Sequence, residues 1–467
     1  MVEKFKEKSA FISIAYAELW DRFSYYGLQS LFILYLTKYF QLADSASYSL
    51  YGAYTALTFA FTLLGGIIAD KFLGLYYATL LGGLLIAIGN LVLTLHGLDN
   101  AYLGFAVIIV GIGLFKPNNP NLLGSLYKEA ESNKRIKAFS VFYVFINVGS
   151  LLGPLLYGIT TSFQYYWIGF AFTALGMLSA ITFLYTFRNK LRDAFIEQNF
   201  QFFIKGIVLL IICISLCYLL LIKYTIFGKV LLGVVIAAIV FFIIFLKKLP
   251  VQERNSILLL IVPIISCIIF LASLLQIYSS LTLFIERYVN RNIGGWNIPT
   301  TWFSSLEPLF IIVLVPLLSF VWSLLAKRKT EPMAENKVMI GLLFAAASFF
   351  IFAMSAHFST TSQCITLLSI VIANAFLAVG ELCIIPVTMS LTNLRAPLKY
   401  QGTLMGIFYF SLTISGYCSS LIAKFTLNAS QSTNISSIAY SFNHIAVFLI
   451  LAAVALYFIQ YIYKNKL

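Results

Sequence analysis

The sequence predicts an all-α integral membrane protein, with two six-helix bundles plus an inserted two-helix hairpin and fourteen transmembrane helices in total. Three observations carry that prediction. The 467 residues are 61% hydrophobic and only 10% charged, and their mean hydropathy is +0.93. That composition excludes a water-soluble fold, and the 43 Phe and 28 Tyr exclude the charge-rich signature of disordered chains. Apolar residues also run on continuously for about 20 positions at a time, the length a helix needs to cross a bilayer, and do not alternate as barrel strands would. Finally, Lys and Arg concentrate in alternate loops, as they do where they set topology.

In chain order, the apolar runs fall near 10–37, 48–69, 76–96, 101–127, 139–160, 166–187, 203–222, 227–246, 256–285, 302–326, 338–357, 364–391, 402–424 and 440–463. The basic start, Met1 to Lys8, leads into the first run as a signal peptide would. That run contains Glu18, Asp21 and Arg22 and continues to Leu36, so an uncleaved first span is expected. Residues 188–205 and 247–255 are charged and flank two plain apolar helices. They divide the chain into an N-terminal six-helix bundle (1–190), cytoplasmic linkers with an inserted transmembrane hairpin (191–252) and a C-terminal six-helix bundle (253–467). Two six-helix halves with a substrate path between them is the plan of the major facilitator superfamily. The segment Gly65 to Gly74 at the end of the second run fits that plan: its glycines permit close helix approach, and Asp70 beside Lys71 can pair with a neighbouring helix end.

A net charge of +14 would suggest a nucleic-acid partner in a soluble domain. Sorted by loop, however, 23 of the 31 Lys and Arg lie on the side of the N-terminus, and six lie opposite: Lys38, Lys223, Lys229, Arg287, Arg291 and Lys424. Arg22 and Lys116 remain inside spans. Both termini are therefore expected in the cytoplasm, with the lipid bilayer and no nucleic acid as partner. Cys213, Cys217, Cys267, Cys364, Cys383 and Cys418 all sit in apolar runs without metal-type spacing and read as small buried hydrophobes. His96, His357 and His444 lie near run ends, so neither a metal site nor a histidine relay is expected. No metal-ligand cluster, nucleophile elbow or phosphate loop points to an enzyme, and no single-sign ring of charge points to a channel.

An ionisable group in mid-span costs about 2.5 kcal/mol or more and is a functional candidate by default. Here these are Glu18, Asp21, Arg22, Lys116, Glu307 and Glu381. Glu18, Asp21, Arg22, Tyr25 and Gln29 stand at i, i+3, i+4, i+7 and i+11, one face of the first helix. They face either a watery cavity or polar partners, and a self-neutralised packing cluster is the bland alternative. Lys116 lies in Gly113-Leu114-Phe115-Lys116-Pro117-Asn118-Asn119-Pro120, where the prolines are expected to interrupt the helix. Its ammonium can hold a carboxylate, or it can snorkel from a shorter helix. Glu381, after Gly380 and before Pro386, suits a substrate ammonium or a proton, or else locks two helices. Glu307, before Pro308, suits the same roles or caps a helix start. Glu286, Arg287 and Arg291 read as an exposed gate or surface cluster.

These residues resemble the proton-coupled oligopeptide transporter family of the major facilitator superfamily. Glu18-Leu19-Trp20-Asp21-Arg22-Phe23-Ser24-Tyr25-Tyr26-Gly27 is similar to the family's ExxERFxYYG signature, and Phe142-Tyr143-Val144-Phe145-Ile146-Asn147-Val148-Gly149-Ser150 to its FYxxINxGS signature. Trp302 to Pro308 and Gly380-Glu381-Leu382 fall where other family motifs do, and the inserted hairpin is typical of bacterial members. The resemblance covers essentially the whole chain. It implies a proton-coupled symporter importing di- or tripeptides or peptide-like molecules by alternating access. Such a transporter needs no cofactor beyond the proton gradient, lies in the bacterial inner membrane and functions as a monomer. It further implies that Arg22, Lys116 and Tyr26 meet the peptide carboxylate and that Glu381 and Asn147 meet its amine and backbone. Phe408, where Trp is usual, shapes a side-chain pocket with Ser411, and Tyr25, Gln29 and Glu307 complete the binding set.

Departures from the pattern are specific. Asp21 replaces the usual Glu. Gln29 stands where many members have Arg, and Leu275 where many have Glu, so an ion pair is lost as a unit. Glu307 stands where Asn is common, which adds an acid that would either share the proton chemistry or favour cationic substrates. The same departures leave open a different cargo on the same fold, such as a peptide-like antibiotic, siderophore, nitrate or drug, moved by proton antiport.

Overall fold

The computed structural model describes residues 2–127, 132–188, 191, 200–362, 367–397, 400–429 and 435–466. Lys128, Lys190, Arg192, Cys364 and Lys399, counted above, lie outside them. The helices are α1 (Val2–Leu34), α2 (Asp44–Ile68), α3 (Gly74–Leu93), α4 (Leu98–Ser125), α5 (Ser132–Ser162), α6 (Tyr166–Thr186), α7 (Phe200–Ile222) and α8 (Tyr224–Lys247). They continue as α9 (Val251–Leu258), α10 (Ile261–Leu274), α11 (Ser280–Tyr288), α12 (Leu306–Lys327), α13 (Ala334–Ser362), α14 (Leu367–Arg395), α15 (Gln401–Ala429) and α16 (Ile435–Lys466). Among the described residues, twelve helical stretches are long and apolar enough to cross a bilayer; one, Asp44–Leu93, contains both α2 and α3, and another, Val251–Tyr288, contains α9 to α11. The 33-residue α1 is less apolar because Glu18, Asp21 and Arg22 sit in it, and it brings the crossings to the expected fourteen.

The surface is inverted relative to a soluble protein. Leu175 (65% exposed) and Leu451 (62%) lie outside, while Glu18, Asp21 and Gln29 are fully buried. A multi-pass membrane protein has this distribution because lipid is as apolar as its own side chains.

Contacts divide the chain into two compact units, Met1–Gln41 with Ala53–Tyr224, and Leu42–Gly52 with Thr225–Leu467. In the first, α3 packs on α4 and α6, α1 on α5 and α6, and α7 on α4. Gly82 and Gly89 of α3 face Gly111 and Gly104 of α4; a Cβ on Gly89 would stand 2.9 Å from the Gly104 carbonyl oxygen, and one on Gly111 at the same distance from that of Gly82. Only hydrogen fits there, so the two backbones touch. The same device docks α5 on α1: a Cβ on Gly149 would strike the Leu19 carbonyl, and one on Gly153 would lie 2.5 Å from that of Phe23.

In the second unit α13 packs on α14 and α16, α10 on α14 and α15, and α12 on α14. Asp44, in the first turn of α2, belongs to this unit and receives both guanidinium arms of Arg287, at 2.6 and 2.8 Å. The two inserted helices fall in different units, α7 in the first and nearly all of α8 in the second.

The span expected as one helix over 256–285 is broken. Between α10 and α11 lies a 3-10 turn, Leu275–Tyr278, followed by Ser279 in a non-helical conformation. Hydroxyl groups take over the freed acceptors: Ser279 Oγ donates to the Leu275 carbonyl (3.2 Å), Thr282 Oγ1 to that of Ile277 (2.7 Å) and Ser280 Oγ to Gln276 Oε1 (2.7 Å). Side-chain hydroxyls that compete for the backbone are what allow such a break inside a membrane. A small antiparallel hairpin, Asn292–Ile293 with Trp296–Asn297, adds the only strands among the described residues. Its turn is Gly294-Gly295, both at positive φ (61° and 89°), the conformation a tight two-residue hairpin requires.

Candidate functional site

In the first unit the polar stripe of α1 is buried and only partly paired. Glu18 Oε1 accepts from Arg22 Nε (2.8 Å) and Nη2 (2.6 Å), and Glu18 Oε2 accepts from Asn119 Nδ2 of α4 (2.7 Å). With Glu18 saturated, Asp21 is left with Arg22 at 3.7 Å and no hydrogen-bond donor on either carboxylate oxygen among the described residues. Burial of a carboxylate without donors is costly, so of the two acids Glu18 is the one stabilised as an anion by its partners.

Lys116 projects from α4 with its Nζ 4.7 Å from the centre of the Tyr25 ring and 5.4 Å from that of Phe59. It is half-buried and forms no salt bridge among the described residues. Arg22 is bonded to Glu18, whereas Lys116 has no carboxylate within salt-bridge distance among the described residues. The expected interruption at Pro117 and Pro120 does not occur, since α4 runs through both. Close packing of Gly65 on the Gly113 carbonyl covers that backbone, and Asn118 Nδ2 donates to the carbonyls of Leu114 (2.7 Å) and Gly65 (3.4 Å). Tyr26 stands edge-on to Tyr25, with ring centres 5.1 Å apart. Asn147 is buried, and its amide donates to its own helix at the Tyr143 carbonyl (2.8 Å). Gln29 is fully buried, and neither amide atom has a hydrogen-bond partner among the described residues.

The second unit gathers carboxyl groups. Glu307, in the first turn of α12 and 4% exposed, accepts from the Tyr278 hydroxyl at 2.9 Å. The carboxyl of Glu381, on α14, lies within hydrogen-bonding reach of that of Glu307, and its Oε2 has no hydrogen-bond partner among the described residues. A hydrogen bond between two carboxyls needs a proton on one of them. Nearby Gln276 is fully satisfied, its amide donating to Ala272 and Ser419. Phe408 is buried, and Ser411 spends its hydroxyl on the Phe408 carbonyl (2.6 Å).

Within each unit the structure thus brings the expected ionisable residues together: Glu18, Asp21, Arg22 and Lys116 in one, Glu307 and Glu381 in the other. Sequence reasoning missed Asn119, Tyr278 and Asp44. Asn119 stands in the quoted Lys116 segment and was legible there. Tyr278 lies in an apolar run and carries no signal. Asp44 finds its cation 243 positions away.

The chain was compared with known proteins. The POT family model matches residues 76–439. The peptide transporter YePEPT of Yersinia enterocolitica is 30% identical over 438 residues, covering 87% of this chain and 85% of that one. A di-/tripeptide transporter of Lactococcus lactis subsp. cremoris is 30% identical over 441 residues, covering 87% of each. A crystal structure of a peptide transporter POT in complex with sulfate superposes with a TM-score of 0.87 at 25% identity, covering 98% of this chain and 95% of that one. The signatures on α1 and α5, the whole-chain superposition and the relatives at 30% identity agree, and the chain belongs to the POT family of membrane transporters, with the major facilitator fold.

Proposed function

We propose that the chain is a proton-coupled symporter that imports di- or tripeptides or peptide-like molecules by alternating access across the bacterial inner membrane. It would work as a monomer with both termini in the cytoplasm and no cofactor beyond the proton gradient. The observation that carries this reading is Lys116, a half-buried ammonium held against aromatic rings while its neighbour Arg22 is committed to Glu18. A peptide carboxylate is its natural counter-ion, with Arg22, Tyr25 and Tyr26 beside it. The acids of the second unit, Glu381 and Glu307, suit the amine, with Asn147 on the backbone and Phe408 and Ser411 at a side chain. A short peptide offers a carboxylate and an amine whatever its sequence. Asp21, Glu18 and the Glu307–Glu381 pair are the proton acceptors. The working halves are the bundles 1–190 and 253–467, with 191–252 inserted between them. The names of the Yersinia and Lactococcus relatives support the substrate class.

The test is proton-driven uptake into liposomes. Lys116→Ala should abolish driven dipeptide uptake, and accumulation at the wild-type level would refute the assignment. The neutral Gln29 and Leu275 favour a second reading, a modified or non-peptide cargo moved by antiport. Counterflow that responds to such a cargo and ignores dipeptides would establish it.

A further inference from the structure

The first unit holds more orphaned polar groups than peptide recognition uses. Asp21 and Gln29 of α1 and Tyr54 of α2 are each 0% exposed; both Asp21 oxygens and both Gln29 amide atoms lack hydrogen-bond partners among the described residues, and the Tyr54 hydroxyl has the Thr58 side chain, one turn on in its own helix, as its neighbour. Asp21, Tyr25 and Gln29 follow at i, i+4 and i+8, a single stripe about 12 Å long. Tyr54 lies beside that stripe: it stands within electrostatic reach of Tyr25 and Asp21, and its ring packs 4.8 Å from that of Phe32, one turn beyond Gln29. The charged groups around Asp21 are Glu18 and Arg22 on α1 and Lys116 on α4. Arg22 donates its hydrogen bonds to Glu18 and stands 3.7 Å from Asp21 without bonding to it.

Buried polar atoms with no protein partner are met by water in native proteins, and a row of them spaced along one helix face organises a hydrogen-bonded chain of water. We infer that Gln29 and Tyr54 hold an ordered water chain that carries protons along α1 to the Asp21 carboxylate. A proton passed from one water to the next reaches an Asp21 oxygen, which becomes the neutral acid, and the waters are restored by reorientation. Gln29 suits this task, because its amide both donates and accepts and, being neutral, does not repel a passing proton as a cation would. The assignment takes Gln29 out of the peptide-contacting set and gives Tyr54 a role that has nothing to do with peptide shape.

The inference rests on the proposed proton symport, and the experiment separates the two. Reconstituted wild-type protein must first accumulate labelled alanyl-alanine under an imposed proton gradient; if it does not, the symport reading fails before the water chain is at issue. Tyr54→Phe keeps the ring and deletes only the hydroxyl. Its driven uptake should fall about tenfold, while alanyl-alanine counterflow, which needs no net proton movement, stays within about twofold and reports that the protein is folded. Gln29→Leu should show the same loss of driven uptake, and the double variant should be no worse than either single one, since both interrupt one path. Driven uptake unchanged in both variants would overturn the inference, and so would counterflow falling in proportion to driven uptake, which would return these residues to the peptide.

Discussion

Arg22 lies next to two carboxylates and satisfies one of them. Its two bonds to Glu18, with Asn119 closing the remaining oxygen, make a neutral and rigid unit, while Asp21, one methylene shorter than the usual Glu, has Arg22 at 3.7 Å and no hydrogen-bond donor among the described residues. Removing one member of a buried ionic arrangement costs about 2–5 kcal/mol, which at about 1.4 kcal/mol per tenfold is a factor of about 30 or more. In the proposed complex Lys116 pairs with the peptide carboxylate, so Lys116→Ala should lower driven uptake at least about 30-fold. Glu307 makes a second residue-scale prediction. It pairs with Glu381 and Tyr278, so the second unit carries one carboxyl more than a single ammonium needs. Glu307→Gln should lower uptake of a lysine-containing dipeptide relative to alanyl-alanine by about tenfold, roughly 1.4 kcal/mol. Driven uptake and preference both unchanged would show that Glu307 only supports the start of α12. The buried ionisable residues were legible in the sequence because a charge inside an apolar run is conspicuous. What the sequence hid was the pairing, since which carboxylate Arg22 chooses depends on side-chain geometry and on Asn119.

At the scale of the elements, small residues decide which helices meet. The α5 signature ends in Gly149-Ser150, and the structure gives Gly149 a mechanical reason: the Leu19 carbonyl and Arg22 Cβ of α1 occupy the space of a side chain. Gly149→Ala must push α1 away just where Glu18, Asp21 and Arg22 are mounted, and overpacking of this kind costs about 1–3 kcal/mol. The purified variant should melt lower and lose uptake, while Gly66→Ala on α2, where a Cβ meets nothing within 4 Å, should do neither. Equal melting temperatures for the two variants would contradict the close-approach account. The α1 stripe was readable from periodicity alone. The break at Leu275–Tyr278 was not, because Ser279, Ser280 and Thr282 look like ordinary span residues until their hydroxyls are seen on backbone and Gln276 acceptors. For the same reason the continuity of α4 through Pro117 and Pro120 was not predictable, since local packing covers what proline frees.

Across the whole molecule, the sorting of Lys and Arg between alternate ends of the apolar runs is what would set topology, and a few buried groups carry the proposed chemistry. The fourteen crossings followed from apolar run length, a property of the chain that no tertiary detail can override. The assignment of α7 to one unit and α8 to the other did not, because two featureless apolar helices carry no mark of what they pack against. The energetics of the proposed cycle are sufficient: one proton crossing about 100 mV releases roughly 2.3 kcal/mol, and tenfold accumulation of a neutral solute costs about 1.4 kcal/mol. The most direct measurement is uptake of labelled alanyl-alanine into liposomes holding the purified protein, with an inward proton gradient imposed and then collapsed by a protonophore. The account predicts accumulation above tenfold that collapses with the gradient and is competed by di- and tripeptides but not by free alanine. Uptake that never exceeds equilibration, or that persists unchanged after the gradient is removed, would contradict it.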